Sequence, residues 1–307
     1  MNKKYILSLC IPTYNRGKHL IESLTNLIKV VDPNTTEIIV CDNGSNDNTS
    51  EVVRSFIYKN PKIRILYKKN KNNIGFDKNI LQAVNLATGK FCWLLGDDDT
   101  PVGSSFKKII SVIMKHPNLS LIHLNYSRYD NILKKVTAKK MINGISKDIY
   151  FNDYKNFYFK NIDDSYFRFL GTHTITMSSD VVNRHEWNKA SRRLGMYVGH
   201  NFIHSFVIGT IIKNSNSIYF IAKPQIQYLS NNHRLWPNDI WKDYNNILLN
   251  YLLSIGYPSD KIKLMKTQQT EYERREAVTK NKFILFLFPI VRPLYSYYQR
   301  LKVIVVG

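Results

Sequence analysis

Apolar runs of strand length alternate with helix-like segments over the first hundred residues of this chain. Between the runs, apolar residues recur at helical spacing, as at Leu20, Leu24 and Leu27. Four runs are predicted to be buried strands, with Pro12 breaking the first: 5–15, 37–41, 62–67 and 91–95. Strands that alternate with helices of this length imply a parallel sheet with right-handed crossovers. The expected fold class is therefore α/β, with a mostly parallel central sheet flanked by helices.

Capping signals predict where two of the helices begin or end. Asn48, with Glu51 three residues later, is a capping-box pattern for the second helix. The third helix is expected over 77–88, with Gly89 ending it. No GxGxxG and no GxxxxGK[ST] follows any of the strands, so no motif supports a dinucleotide-binding or P-loop site.

Three aspartates, Asp97, Asp98 and Asp99, directly follow the fourth apolar run, which Gly96 ends. Adjacent carboxylates raise one another's pKa values and cost free energy unless a cation or basic group compensates them. Carboxylate oxygens suit Mg²⁺ or Mn²⁺, and ligands bind at the carboxyl ends of strands in open α/β sheets. The alternative is an acidic turn that caps the next helix. Three aspartates in a row after a buried strand favour a metal-binding site over such a turn.

Four segments, in this order, resemble glycosyltransferase family 2, which has the GT-A (Rossmann-like) fold. They are LSLCIPTYNRGKHLIESL, EIIVCDNGSNDNT, NNIGFDKNILQAVNLATGKF and WLLGDDD, the last resembling the metal-binding DXD segment. The resemblance is strong over roughly the first third of the chain. Within the family, the chain looks most like bacterial glycosyltransferases of surface-polysaccharide assembly, including abequosyltransferases, which have a similar GDDD.

The resemblance implies roles for matching positions in the donor site. The residues expected to bind the nucleotide sugar in this half are Pro12, Thr13, Tyr14, Arg16, Asp42, Asn73, Gly75, Asn79 and Asp97, with Asp42 recognising the base. Asp98 would be the principal ligand of Mn²⁺ or Mg²⁺, with Asp99 beside it. Gly96 stands where the family usually has its first Asp. Alternatives stay open: Pro12 ends a strand, Gly75 serves a turn and Asp42 caps a loop.

The catalytic base is harder to assign. The family usually places an Asp at the start of a helix, whereas this chain has GHNFIHSFVIG, with His200 in that position. His200 is the candidate base, and Asp180, also expected to cap a helix over 181–187, is the alternative, together with Asp163 and Asp164. His200 and His204 are four apart, so they are expected to share a helix face, as metal ligands or as hydrogen-bonded helix residues. Whether the reaction inverts or retains the anomeric configuration of the sugar stays open.

A polar loop after the apolar segment 217–229 holds His233 and Arg234. Family members often fold a C-terminal loop over the diphosphate and metal, which makes His233 a candidate metal ligand. Arg234 would bind the phosphates of the nucleotide sugar. The alternative is a surface loop anchored by Trp236 and Trp241.

The chain is expected to divide into a nucleotide-sugar-binding half (1–105), an acceptor-binding half (106–230) and a C-terminal loop and helical extension (231–307). In the middle part, 134–148 is predicted to be a basic loop or flap and 172–179 a strand. The intervening segment 153–169 is rich in Tyr and Phe, which suits either sugar stacking or core packing.

The net charge of +21 indicates anionic partners. No zinc-ligand, homeodomain or RNP-type pattern supports nucleic-acid binding, so the expected partners are a nucleotide sugar, a diphosphate-linked acceptor and an anionic lipid surface. Cys10, Cys41 and Cys92 lie in or beside the apolar runs, which predicts buried thiols in a reducing compartment. The first apolar stretch is predicted to be a sheet strand and not a signal peptide.

The run FILFLFPIV, residues 283–291, is too short to span a bilayer, which takes about 20 residues. Flanking Tyr, Arg and Lys residues are typical of an interfacial anchor on an anionic leaflet. The alternatives are a helix packed on the body and a dimer contact. The location predicted is cytoplasmic, peripheral on the inner face of the membrane.

The predicted function is metal-dependent transfer of a sugar from a nucleotide-diphosphate donor to an oligosaccharide acceptor. The acceptor is expected to be lipid-linked and to belong to the synthesis of bacterial O-antigen, capsule or a related surface glycan. Two alternatives come from other classes. A nucleotidyltransferase would also use carboxylates and a metal, but its usual Gly-rich, basic loop is missing after the first strand. The other is a non-catalytic membrane scaffold with a degenerate GT-A fold.

Overall fold

A computed structural model describes residues 5–130, 134–142, 145–152, 176–215, 217–230, 240–260, 262–263 and 265–267. The chain divides into two compact units, Met1–Ile262 and Lys263–Gly307. All of the helices and strands described below belong to the first unit. None of the described helices is long and apolar enough to cross a membrane.

The described residues form one ten-stranded sheet. Its strands are β1 Leu7–Thr13, β2 Thr36–Asp42, β3 Ile65–Lys69, β4 Phe91–Leu94, β5 Thr100–Pro101, β6 Leu121–Asp130, β7 Lys135–Ala138, β8 Ile149–Phe151, β9 Asp180–Asn183 and β10 Ile218–Ser230. The order is β3-β2-β1-β4-β9-β6-β10-β5, with β7 beside β6 and β8 beside β10. Strands β3, β2, β1 and β4 run parallel, and β9 lies antiparallel between β4 and β6.

The helices are α1 Gly17–Leu27, α2 Thr49–Lys59, α3 Phe76–Leu86, α4 Ser105–Lys115, α5 Arg184–Ser191 and α6 Ile203–Asn214. A further helical segment, α7, joins Ile240–Asp243, a π-helical stretch Tyr244–Leu248 and Leu249–Ser254. Every residue of β1, β2 and β4 is buried, which explains why their sequences are nearly continuous apolar runs. Cys10, Cys41 and Cys92 are buried, free thiols in these strands, as predicted.

Pro12 does not break the first strand, because β1 continues to Thr13. Pro12 pairs with Cys41 of β2, whereas the pairing of β1 with β4 reaches only Cys10. A proline lacks the N–H that a ladder on both sides would use. It is therefore tolerated at the point where β1 has a neighbour on one side.

The predicted capping signals of α2 and α3 are wrong. Asn48 makes no side-chain cap hydrogen bond; instead, Oδ1 of Asp47 accepts one from the backbone N–H of Thr49, 3.1 Å away. Helix α3 ends at Leu86, before Gly89. Gly89 instead lies against β1, where its N–H donates to Oγ of Ser8 at 2.8 Å.

Three predictions about the middle of the chain also need correction. Asp180 does not cap a helix, because Asp180–Asn183 is strand β9 and Asn183 caps α5 by accepting a hydrogen bond from the N–H of His185. In the predicted strand 172–179, Met177–Ser179 is a 3₁₀ turn. The predicted basic loop 134–148 contains β7, which pairs with β6. The aromatic segment 153–169 lies outside the described residues.

The close approach of Gly89 to β1 gives a stability prediction. A Cβ added at Gly89 would lie 2.6 Å from Oγ of Ser8 and 2.8 Å from the backbone N of Ser8. Gly89→Ala should therefore lower the free energy of unfolding by about 1–3 kcal/mol, as measured by urea denaturation, because a buried strand cannot move away cheaply.

Gly103→Ala is the matched control, since its added Cβ would meet nothing closer than Val30 Cγ1 at 4.0 Å. The control should leave stability unchanged or raise it by up to about 1 kcal/mol. Equal free energies of unfolding for the two variants would contradict the close-contact explanation.

Candidate active site

A cavity of about 620 Å³ opens at the edge of the sheet where β1 and β4 end. Residues after β1, residues after β4 and the start of α3 form one part of its wall. The end of β10, the turn before β9 and the start of α6 form another part. This is the carboxyl edge of the parallel strands, where α/β sheets bind ligands.

Most of the residues that the sequence predicted for the donor site lie in the wall of this cavity. They are Pro12, Thr13, Tyr14, Arg16, Asn73, Gly75, Asn79, Asp97, Asp98 and Asp99. Asp42, Asp180 and His200 are not among the lining residues. His233, Arg234, Asp163 and Asp164 lie outside the described residues.

Arg16 is the counter-ion of the acidic triplet. Its Nη1 lies 3.1 Å from Oδ1 of Asp97, and its Nη2 lies 2.6 Å from Oδ2 of Asp98. The hydroxyl of Thr13 also donates to Oδ2 of Asp97, at 2.7 Å. Residues at the end of β1 therefore hold the first two carboxylates in place.

Asp99 is held from the opposite side of the cavity. Oγ of Ser178 donates to its Oδ2 at 2.5 Å, and the backbone N–H of Leu229 donates to its Oδ1 at 3.2 Å. Ser178 also accepts the N–H of Gly96, at 2.8 Å. Asp99 thus ties the turn before β9 and the end of β10 to the acidic triplet.

Burial and neighbouring negative charge raise the pKa values of Asp97 and Asp99. Burial raises the pKa of Asp97 to about 7, although the attraction of Arg16 opposes the rise. Burial also raises the pKa of Asp99 to about 7, and the neighbouring charge of Asp98 adds to the effect. The site therefore stabilises added positive charge near neutral pH, because a cation would lower both pKa values.

A network of amide side chains forms the wall near α3. Asn43 Nδ2 donates to Oδ1 of Asn73 at 2.8 Å, and Asn79 Nδ2 donates to the carbonyl of Cys41 at 2.8 Å. Oδ1 of Asn73 also accepts the N–H of Gly75, at 2.9 Å. Gly75 has φ +86°, a left-handed backbone that favours glycine, and it immediately precedes α3.

Asp42 lies behind the cavity wall. It is fully buried; its Oδ1 accepts the N–H of Ser45 at 2.8 Å, and its Oδ2 accepts the hydroxyl of Tyr67 at 2.5 Å. Burial, followed by this bond, raises the pKa of Tyr67 to about 12. The next residue, Asn43, lines the cavity instead. Base recognition by Asp42 stays a prediction.

His200 lies before helix α6, whereas His204 lies within it. Helix α6 begins at Ile203, so His200 precedes it, and the predicted shared helix face is wrong. His200 pairs with Asp243 of α7, with Nδ1 and Oδ2 3.1 Å apart. His204 is buried and lines the cavity. Among the described residues, no group of three or more His, Cys, Asp or Glu side chains could hold a metal ion.

Asp77, in the first turn of α3, ties the start of that helix to the loop before α6. Its Oδ2 accepts the N–H groups of Gly199 (2.8 Å) and Asn201 (3.1 Å), and its Oδ1 accepts the N–H of Ile203 (3.1 Å). Gly199 and Asn201 have positive φ angles of 114° and 61°. Glycine adopts such angles freely, whereas they are uncommon for Asn201, and the carboxylate helps to hold that residue in place.

Sequence patterns did not reveal several wall residues. Asn43, Phe76, Ser178 and Tyr228 line the cavity but were not predicted as site residues. Asn43 and Phe76 adjoin predicted positions, so the neighbouring motifs were the available signal. Ser178 and Tyr228 are brought to the site by β9 and β10, whose positions in the sheet no local pattern indicates.

Replacing Asp77 tests how the loop before α6 is held. Asp77→Asn substitutes an amino group for one accepting oxygen, so at least one backbone N–H loses its partner. The free energy of unfolding should fall by about 1–3 kcal/mol, as measured by urea denaturation.

Glu51→Gln is the control, because Glu51 is an exposed carboxylate in the first turn of α2. It should change stability by less than about 1 kcal/mol, since only its interaction with the helix dipole is altered. Equal losses in the two variants would show that the bonds from Asp77 to the loop contribute nothing.

Comparisons with known proteins place this chain in a family. The sequence model described as Glycosyl transferase family 2 matches residues 8–184. Abequosyltransferase RfbV of Salmonella typhimurium is 26% identical over 228 residues, which cover 72% of this chain and 66% of that protein. The chain spans at most 66% of the length of the first curated relatives that it matches.

Solved structures show a similar fold. The crystal structure of S. aureus TarS in complex with UDP-GlcNAc has a TM-score of 0.62 at 16% identity, over 86% of this chain and 71% of that chain. Mannosyltransferase PcManGT from Pyrobaculum calidifontis, in complex with GDP-Man and Mn²⁺, has a TM-score of 0.55 at 14% identity, over 96% of this chain and 82% of that chain. The predicted α/β fold of the GT-A type is confirmed. Since the family model matches more than half of its length, the chain belongs to glycosyl transferase family 2.

Proposed function

We propose that this protein transfers a sugar from a nucleotide-diphosphate donor to the hydroxyl of a glycan acceptor in bacterial polysaccharide synthesis. The observation that carries the proposal is the meeting of Arg16 and the acidic triplet in a cavity at the carboxyl edge of the sheet. Family membership and the sugar-transferring relative RfbV support the same reaction class.

The size of the cavity and a few polar groups in its wall suit a nucleotide sugar. Its volume of about 620 Å³ falls within the range of about 300–1,000 Å³ that is usual for small-molecule sites. Amide groups of Asn43 and Asn73 on one side offer donors and acceptors to a base or sugar. Arg16 offers a cation to the diphosphate. TarS, a protein of the same fold, has been crystallised with UDP-GlcNAc.

The acidic triplet fits a divalent cation when substrate phosphates complete the ligand set. Mg²⁺ and Mn²⁺ commonly bind through one or two carboxylates plus phosphate oxygens, so three protein ligands are not required. Asp98 and Asp99 would hold the ion, and the raised pKa values of Asp97 and Asp99 fit a site that favours added positive charge. When bound, the ion would offset the negative charge that develops on the departing nucleoside diphosphate.

The acceptor we propose is a lipid-linked oligosaccharide of O-antigen, capsule or a related surface glycan. The net charge of +21 suits an enzyme that works on anionic diphosphate-linked lipids at the cytoplasmic face of a membrane. Membrane attachment would come from the apolar and basic segment beginning at Asn281, which lies outside the described residues.

The test of the function is the release of nucleoside diphosphate from a panel of UDP-, GDP-, CDP- and dTDP-sugars with Mn²⁺ present. Asp98→Asn and Asp99→Asn should each reduce release by more than about 100-fold, because each removes a proposed metal ligand. Both should stay folded. In Asp99→Asn the amide oxygen can still accept from Leu229, while its NH₂ can donate to Ser178.

Asp32→Asn, which alters an exposed carboxylate outside the cavity, should retain the wild-type rate. Undiminished release in chelator, or in both site variants, would rule out the proposed metal role. Release of pyrophosphate in place of nucleoside diphosphate would indicate a nucleotidyltransferase. Absence of both products, with no nucleotide binding, would indicate a non-catalytic scaffold.

The membrane proposal predicts that deleting residues 281–307 releases the protein from anionic liposomes. Each basic residue near such a surface contributes about 1 kcal/mol of attraction, which salt screens. Liposome flotation of the full chain and the deletion variant, at low and high salt, measures the effect. Binding that survives the deletion would contradict the proposal, and so would a truncated chain that no longer folds, because the segment would then belong to the core.

A further inference from the structure

A buried Asp–His pair lies in the sheet beside the cavity. Asp180 of β9 and His123 of β6 are directly opposite each other in the antiparallel ladder. His123 Nδ1 lies 2.7 Å from Oδ1 of Asp180, and both side chains are almost completely buried. Asp180 Oδ2 is also buried, and the described residues give it no hydrogen-bond partner.

His204 connects this pair to the cavity. It is the second residue of α6, is 3% exposed and lines the cavity, and its ring meets that of Phe76 edge-on at 6.0 Å between centroids. His204 lies close enough to Asp180 for the two to interact electrostatically. Burial raises the pKa of Asp180, and the charges of His123 and His204 oppose that rise. Among the described residues, the Asp180 carboxylate is hydrogen-bonded to His123, and it acts on His204, in the cavity wall, only through its charge.

A buried carboxylate paired with an imidazole is a costly way to stabilise a sheet, since hydrophobic residues of similar volume are often at least as stable. Ionisable groups in such surroundings are candidates for function when they adjoin a cavity. A carboxylate near an imidazole assists proton transfer, because its negative charge stabilises the protonated ring.

We propose that His204 is the general base that removes the proton of the acceptor hydroxyl, and that the charge of Asp180 stabilises His204 once it has taken that proton. This inference rests on the proposed function and names the base for that site. It also gives Asp180 a role different from the direct base predicted from the sequence. Asp180 is absent from the cavity wall, so it acts through His204.

The step balances without another reactant. The acceptor oxygen forms a bond to the anomeric carbon as the bond from that carbon to the diphosphate oxygen breaks. The nucleoside diphosphate leaves with the electron pair, and the hydroxyl proton moves to the imidazole of His204. Such a single displacement inverts the configuration at the anomeric carbon.

His200 is less suited to this role. It precedes α6, is partly exposed, and directs Nδ1 towards Asp243 of α7. It does not line the cavity, whereas His204 does. We therefore expect a loss of kcat when His204 is replaced and no such loss when His200 is replaced.

The decisive experiment measures nucleoside diphosphate release from the UDP-, GDP-, CDP- and dTDP-sugar panel by full-length variants. His204→Gln should lower kcat by about 10²–10⁴-fold, the usual contribution of a general base. Its calorimetric affinity for the nucleoside diphosphate that the wild type releases should stay unchanged. In His204→Ala, added imidazole should restore part of the lost rate, which a purely structural role would not permit.

Asp180→Asn should lower kcat by about 10–100-fold with an unchanged KM for the sugar donor, because it alters the base and not the donor site. His185→Gln, which changes an exposed histidine outside the cavity, is the matched control and should keep the wild-type kcat. If Asp180→Asn does not fold, the His204 variants still decide the proposal, since only they change the group that takes the proton.

A His204→Gln rate within about tenfold of the wild type would overturn the inference and leave the proposed transfer reaction standing. So would a large loss of kcat in His200→Gln with none in His204→Gln. A wild-type protein that neither binds nor consumes any sugar of the panel would instead overturn the proposed function, and the inference with it.

Discussion

Three adjacent carboxylates at the end of a buried strand need compensating donors, and the site is built around supplying them. The donors come from separate parts of the chain: Arg16 and Thr13 after and in β1, Ser178 before β9, and the backbone of Leu229 in β10. Each bond fixes one part of the cavity wall relative to β4. The acidic triplet therefore organises the geometry of the cavity as well as its charge.

Another carboxylate, that of Asp77, holds the loop before α6 in place. Three backbone N–H groups converge on its two oxygens, and this loop brings Asn201, Phe202 and His204 to the cavity. Since Asp77 adjoins Phe76 and Gly75, which line the cavity, the start of α3 and the start of α6 are held together by one side chain. His204, the group that we propose as the base, lines the same cavity as these two residues.

The sequence was informative where a structural feature is local. The apolar runs predicted β1, β2, β3 and β4, and the motifs that follow these strands placed Arg16, Asn73 and Asp98 together because parallel strands end at the same edge. The predicted helix caps were wrong; at the start of α2, for example, Asp47 and not Asn48 accepts the hydrogen bond from a backbone N–H. The existence of helix α2 could be predicted from its apolar spacing, whereas the residue that caps it could not.

Features that depend on long-range pairing could not be predicted. The bond between His123 and Asp180 requires the antiparallel register of β6 and β9, which joins residues far apart in sequence. Asp42 and Asn43 are adjacent and similar in size, yet only Asn43 lines the cavity, because Ser45 and Tyr67 hold Asp42 behind the wall. Which of two neighbouring polar residues faces a ligand depends on such tertiary bonds.

The central claim is that the cavity binds a nucleoside diphosphate against the acidic triplet with a divalent cation. Isothermal titration calorimetry of the full chain with UDP, GDP, CDP and dTDP, each with Mn²⁺ and with chelator, tests it most directly. The account predicts that at least one of these binds in Mn²⁺, with an affinity at least about tenfold weaker in chelator, a difference of about 1.4 kcal/mol. Failure of all four nucleoside diphosphates to bind, or equal affinities in Mn²⁺ and in chelator, would contradict the central claim.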